Sequence, residues 1–174
     1  MFLDETGFLL IPNVRKTWAP VGRTPVVCHS CKRDKLSAIS AVAVAPRRTR
    51  VGLYMHLHPD NITGAEVVMF LRHLLRHLRG PIALLWDGGS IHQREDVRTF
   101  LRRHPRLTTH RFPAYAPELN PDEFVWTKMK HEVANGGPDD LRALNAQLQR
   151  AFRRLHGSQT LLWSCIFAAD LQWP

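Results

Sequence analysis

Cysteine is scarce in this chain: Cys28, Cys31 and Cys165 are the only three in 174 residues. So small and odd a number cannot knit a disulfide framework, which fits a reducing, cytoplasmic setting. No stretch approaches the ~20 apolar residues that a membrane-spanning helix needs, so no membrane association is expected. The N-terminus has no basic segment leading into an apolar run, so no secretory leader is expected. Repeats, low-complexity tracts and obvious linkers are also lacking. A single domain over residues 1–174 is the simplest organisation, and it is long enough to bury a core without staples. Hydrophobic content of 44% with 22% charged residues excludes a disordered or fibrous chain. Cys28-His29-Ser30-Cys31 is a lone C-x-x-C. A structural zinc wants four ligands and no second cysteine pair exists, so no zinc site is expected.

Negative charge is also in short supply. Lys and Arg total 24 against 15 Asp and Glu, a net charge of +9. Nineteen of the 24 basic residues are Arg, which pairs bidentately with phosphate where Lys acts as a point charge. The balance favours a polyanionic partner, since each neutralised phosphate releases a condensed counterion. The turn Arg47, Arg48 and Arg50 is a candidate DNA contact. So is the run Arg94, Arg98, Arg102 and Arg103, which falls on one helical face. A charge run is also what an ordinary solvated face looks like.

Hydrophobic periodicity predicts the elements. Residues 2–11 read as a strand with a turn near Gly7, and 14–25 as a turn-rich excursion. VVCHS, LSAISAVAVA and VGLYMHLH read as further strands, giving an N-terminal block of about four, antiparallel. A helix starts near Thr63, its N-cap, with Val67, Leu71, Leu74, Leu75 and Leu78 on one face and Gly80 as its stop. IALLWD is a short buried strand, residues 91–103 a helix, and LTTHRF a strand. PAYAPELNP is an irregular loop. Pro121 opens a helix that Asn135-Gly136-Gly137 ends, and Pro138 opens a last long helix with Leu141, Leu144, Leu148, Phe152 and Leu155 on one face. The tail from 160 to 174 is ambiguous. Strands first and alternation later predict an α/β fold: a mixed sheet with helices on its faces.

Three acids then stand out. Asp4 lies on the first strand, Asp87 at the carboxyl end of a buried strand, and Glu123 at a helix start. The carboxyl ends of strands are where open α/β sheets gather their functional groups. Hard cations such as Mg²⁺ take oxygen ligands, and a pair about 3.5–4 Å apart stabilises both attacking and leaving oxygens at phosphorus. Each acid also has an ordinary structural reading. Asp4 can be a turn residue. Asp87 can cap the turn at Gly88-Gly89. Glu123, at N3 behind Asn120 and Pro121, can complete a capping box.

Taken in order, LDETGF, TWAPVGRTP, LLWDGGSIH and FPAYAPELNPDEFVW resemble the DDE transposases, most closely the bacterial insertion-sequence branch of the mariner superfamily. The likeness runs from residue 2 to about 155, and 35 residues (88–122) separate Asp87 from Glu123, close to the family's gap. It implies a ribonuclease H-like mixed sheet with helices on both faces. It also implies DNA strand cleavage and joining, and Asp4, Asp87 and Glu123 as catalytic acids holding two Mg²⁺ ions, with Mn²⁺ able to substitute. Double-stranded DNA is the implied partner, with a homodimer on the DNA and a bacterial nucleoid location. His92, in the family's Ile-His, is a candidate for orienting substrate; as the alternative it hydrogen-bonds within a helix's first turn. Trp126 is expected to pack beneath the site and Trp18 to anchor its turn. Asp122 stands where the family usually has an apolar residue and is left out of the site. Gly88 replaces the family's usual Asn after the second acid, so one side-chain hydrogen bond is expected to be missing. The chain begins three residues before Asp4. The family's N-terminal helix-turn-helix region is therefore expected to be absent, or encoded separately. The competing expectations are an idle transposase fragment that only binds DNA or multimerises, and a related nuclease such as a resolvase or ribonuclease H.

Overall fold

The computed structural model describes residues 1–11, 14–26 and 34–171. Its centre is β1 (Phe2–Leu9), flanked by the antiparallel β2 (Lys35–Val44), which in turn pairs antiparallel with β3 (Val51–His58). On the other side of β1 lie β4 (Ile82–Trp86) and then β5 (Leu107–Arg111), both parallel, giving the order β3-β2-β1-β4-β5. Parallel neighbours need crossover connections. Helix α1 (Gly64–His77) leads into β4, and α2 (Glu95–Arg103) leads into β5.

Alternation along the strands divides the core in two. Phe2, Phe8, Leu36, Ala38 and Val42 face α3 (Pro121–Glu132), α4 (Leu141–His156) and α5 (Gln159–Ala168). Leu3, Ile39, Ala41, Leu84 and Trp86 face α1 and α2. The mixed sheet with helices on both faces is as expected. β2 is buried on both sides, which is why small residues such as Ala38, Ser40 and Ala41 fill it. Thr63 caps α1 as predicted, with Glu66 completing a capping box.

Several elements differ from expectation. Gly7 makes no turn: it pairs with Ser37 within a continuous β1. Among the described residues three strands form the antiparallel block; most of VVCHS, expected as a further strand, lies outside the described residues with the Cys28–Cys31 pair. The helix expected at 91–103 is broken. Residues Ser90–Gln93 form a 3₁₀ turn, Arg94 is extended at ψ 150°, and α2 starts only at Glu95. Pro138 does not open α4, which is capped by Asp140 through its side chain to the N–H of Ala143. The α3 helix ends at Glu132, before Asn135-Gly136-Gly137. Among the described residues Trp18 packs against nothing: it is fully exposed, as is Val21.

Candidate active site

Asp4 sits in the middle of β1, opposite Ser40 of β2, on the face that α3 covers. The start of α3 is fixed by Asn120, whose side chain accepts the Asp122 N–H at 3.1 Å, with Pro121 at the first helical position. That cap puts Asp122 and Glu123 in the first turn and Trp126 one turn further. The Trp126 indole N–H then donates to Asp4 Oδ2 at 3.0 Å. Trp126 is buried as expected, with Phe8 edge-on to its ring, and it also binds the first acid.

Asp122, set aside by sequence reasoning, is fully buried here. The Ser40 hydroxyl donates to its Oδ1 at 2.5 Å, and its Oδ2 has no partner among the described residues. Burial pushes this carboxyl well above the ordinary range, and Asp4, Glu5 and Glu123 add to the push against the Ser40 bond. Asp4 is raised from 3.8 to about 7, first by burial, then by the charges of Glu123 and Glu5. The Glu123 charge thus acts on Asp4 across the β1–α3 contact.

Asp87 follows the C-terminal end of β4. Phe2 pairs with Leu85, and that register carried two residues on brings Asp87 level with Asp4. Its carboxylate is committed to one side: Oδ1 accepts the Gly89 N–H at 2.8 Å and His92 Nδ1 at 2.9 Å. A Cβ on Gly89 would come within 2.9 Å of that same oxygen, so this position favours glycine for close approach. His92 reaches Glu5 Oε1 through Nε2 at 3.0 Å, and its ring stacks on Trp86 at 4.2 Å. Burial by itself would lower the imidazole, but the hydrogen bonds from Asp87 and Glu5 outweigh it and raise His92 to about 9. The same His92 bond, with the Gly89 N–H, holds Asp87 below its usual value. Glu5, which sequence reasoning passed over, is thus part of the cluster.

The donor set suits a hard divalent cation. Asp4 and Asp122 both feel the Glu123 charge and Asp122 also feels that of Asp4, one oxygen of Asp122 has no partner, and no Lys or Arg forms an ion pair with these acids among the described residues. Such a cluster is short of positive charge. The three predicted acids are nevertheless not drawn into one cage. Among the described residues, no group of three or more His, Cys, Asp or Glu is arranged to hold a metal.

The two basic patches part company. The turn carrying Arg47, Arg48 and Arg50 joins β2 to β3, beyond the N-terminal ends of β1 and β4. Arg94 and Arg98 instead follow the Asp87 loop, exposed at the start of α2.

A family profile described as DDE superfamily endonuclease matches residues 1–145. The chain belongs to the DDE superfamily of endonucleases. Among solved structures, this DDE chain is similar to the Mos1 transposase in its paired-end complex with the left transposon end. There the TM-score is 0.69 at 19% identity, covering 95% of this chain and 50% of that one. It is also similar to the isolated catalytic domain of Mos1 mariner transposase, with TM-score 0.58, 16% identity, and 99% and 83% coverage. The same Mos1 domain with raltegravir and Mg gives TM-score 0.56 at 16% identity, covering 99% and 84%. At these identities the likeness establishes the ribonuclease H-like fold. The DDE chain spans about half the length of the transposase in the paired-end complex. No curated protein matches its sequence. Among the described residues no helix is long and apolar enough to cross a membrane.

Proposed function

We propose that this DDE chain is the catalytic domain of a cut-and-paste DNA transposase of the bacterial insertion-sequence branch of the mariner superfamily. What supports the reading is that the Glu123 charge acts on buried Asp4, and that Asp87 directly follows β4, the strand parallel to β1. A Mos1 paired-end complex contains Mn, and a Mos1 catalytic domain contains Mg. Asp4, Asp87 and Glu123 would hold two Mg²⁺ ions, which supply charge neutralisation at the attacking and leaving oxygens of a phosphodiester. The protein's own part is orientation and proton handling. Trp126 fixes Asp4, and Asp4 gives up its carboxyl proton as the site loads. His92 fixes Asp87. Arg94 and Arg98 hold DNA phosphates beside the Asp87 loop. Hydrolysis would free a 3′-hydroxyl, and attack of that hydroxyl on target DNA would join the strands. The same reading includes a homodimer on double-stranded DNA.

The test is nicking of long double-stranded DNA with Mn²⁺, comparing wild type with Asp4→Asn, Asp87→Asn and Glu123→Gln. Cleavage by wild type alone supports the reading. A preference for RNA–DNA hybrid would point to a ribonuclease H-type nuclease instead. The lack of an assembled three-acid cage favours a second reading, an idle fragment that binds DNA or multimerises. Mn²⁺-saturated wild type that binds DNA without cutting it would establish that alternative.

A further inference from the structure

The Glu5–His92–Asp87 chain has a geometry that its separate parts do not explain. Glu5 neighbours Asp4 on β1, so it leaves the strand on the opposite face, the side where Leu3 packs with α1 and α2. Its side chain is 16% exposed and meets His92 Nε2 at 3.0 Å. The His92 side chain is 3% exposed, and its other nitrogen meets Asp87 Oδ1 at 2.9 Å. Trp86 lies against the ring, nearly parallel at 9°. Both ring nitrogens are thus spent on protein carboxylates, and the ring is clamped edge and face. Asp87 itself is 60% exposed, and without this tether only the Gly89 N–H would restrain its carboxylate. Oδ1 is held twice, by His92 and by the Gly89 N–H, and Oδ2 is left without a protein partner among the described residues.

We propose that Glu5 is a positioning residue for Asp87. It fixes the His92 ring, and the ring fixes one oxygen of Asp87 so that the other is presented to a divalent cation. The inference rests on the metal-site reading above. Carboxylate–histidine pairs behind a ligand commonly tune metal sites, and losing such a partner typically costs 10–100-fold in affinity.

The experiment measures Mn²⁺ affinity of the full chain by calorimetry and by the loss of the free-ion electron-spin-resonance signal, with no DNA present. Glu5→Leu should weaken Mn²⁺ binding about tenfold or more with the circular-dichroism spectrum unchanged. Glu5→Gln, whose carbonyl oxygen still accepts from Nε2–H, should recover to within about threefold of wild type. A purely structural role would not be rescued in this way. His92→Phe keeps the ring stack and drops both hydrogen bonds. It should match Glu5→Leu, and it carries the test if Glu5→Leu fails to fold. The double variant should lose no more than either single one, because the two act through one contact. Wild-type affinity in Glu5→Leu and His92→Phe, with binding lost in Asp87→Asn, would overturn the positioning role and leave the metal site standing. Unchanged affinity in Asp87→Asn and Asp4→Asn as well would overturn the metal-site reading and this inference with it.

Discussion

Replacing Asp4 by asparagine removes a charge that the metal-free fold accommodates badly. The carboxyl is raised from 3.8 to about 7 by burial and by Glu123 and Glu5. The folded state therefore holds a proton that the unfolded chain has already released. The associated stability is fully present below pH 3.8 and is lost as pH rises through about 7. At about 1.4 kcal/mol for each pH unit spanned, the penalty above pH 8 is at most roughly 4 kcal/mol. Asparagine has the same shape and keeps an oxygen to accept the Trp126 indole N–H, so it escapes the penalty and loses little. For a domain of this size each kcal/mol moves Tm by about 2–4 °C. In chelator at pH 8, Asp4→Asn should melt above wild type, by up to roughly 8–16 °C; at pH 4 the two should coincide. Millimolar Mn²⁺ should close the gap by stabilising wild type and not the variant. Equal melting at pH 8, or an equal gap at both pH values, would refute the argument that Asp4 is a destabilised, cation-seeking carboxylate.

Further outcomes follow from the same geometry. His92 is raised from 6.5 to about 9, so its contribution is complete below 6.5 and lost as pH rises through 9. Screening by solvent at the exposed Asp87 leaves about 1–2 kcal/mol, which wild type should lose between pH 7 and 10 and His92→Phe should not, read by urea melts. Trp126→Phe should cost about 1.5–3 kcal/mol, the worth of a hydrogen bond to a charged group, and should move the Asp4 carboxyl titration, followed by carbon NMR, to higher pH. Gly89→Ala should change stability by less than about 0.5 kcal/mol yet weaken Mn²⁺ binding, because the new Cβ would meet Asp87 Oδ1 at 2.9 Å. Arg94→Ala and Arg98→Ala should each lower the slope of log DNA affinity against log salt by about 1. The triple replacement of Arg47, Arg48 and Arg50 by Ala should leave Mn²⁺ affinity unaltered, since that turn lies beyond the far end of β4 from Asp87.

The amino-acid order determined what depends on near neighbours. Thr63 and Glu66 announced the start of α1, and the helix began there because the capping groups lie three residues apart. Asn120 and Pro121 announced α3, and the spacing of Leu144, Leu148 and Leu155 announced the buried face of α4. The apolar run ending at Asp87 gave a strand with an acid at its carboxyl end. The break at Arg94 was not legible, because 91–103 keeps a helical rhythm of apolar residues through the turn. There the backbone is set by Asp87 binding the Gly89 N–H and by Arg94 taking an extended ψ. Trp18 misled for a related reason: a large aromatic ring beside Ala19-Pro20 suggests packing, but packing needs a surface to meet, and the described structure offers none.

Only the tertiary structure decided which groups share an environment. Trp126 lies 122 residues from Asp4, Asp122 lies 82 from Ser40, and His92 lies 87 from Glu5. Ser40 reads as one more small residue in an apolar strand until β2 sets it opposite Asp4 and beneath α3. Asp122 reads as a helix-start acid until docking of α3 strips its water away. Local periodicity fixes which face of each element is apolar. Which strands pair, in what register, and which helix closes over them is settled by burial of those faces together. That step alone turned isolated carboxylates along the chain into a charged, partly desolvated cluster.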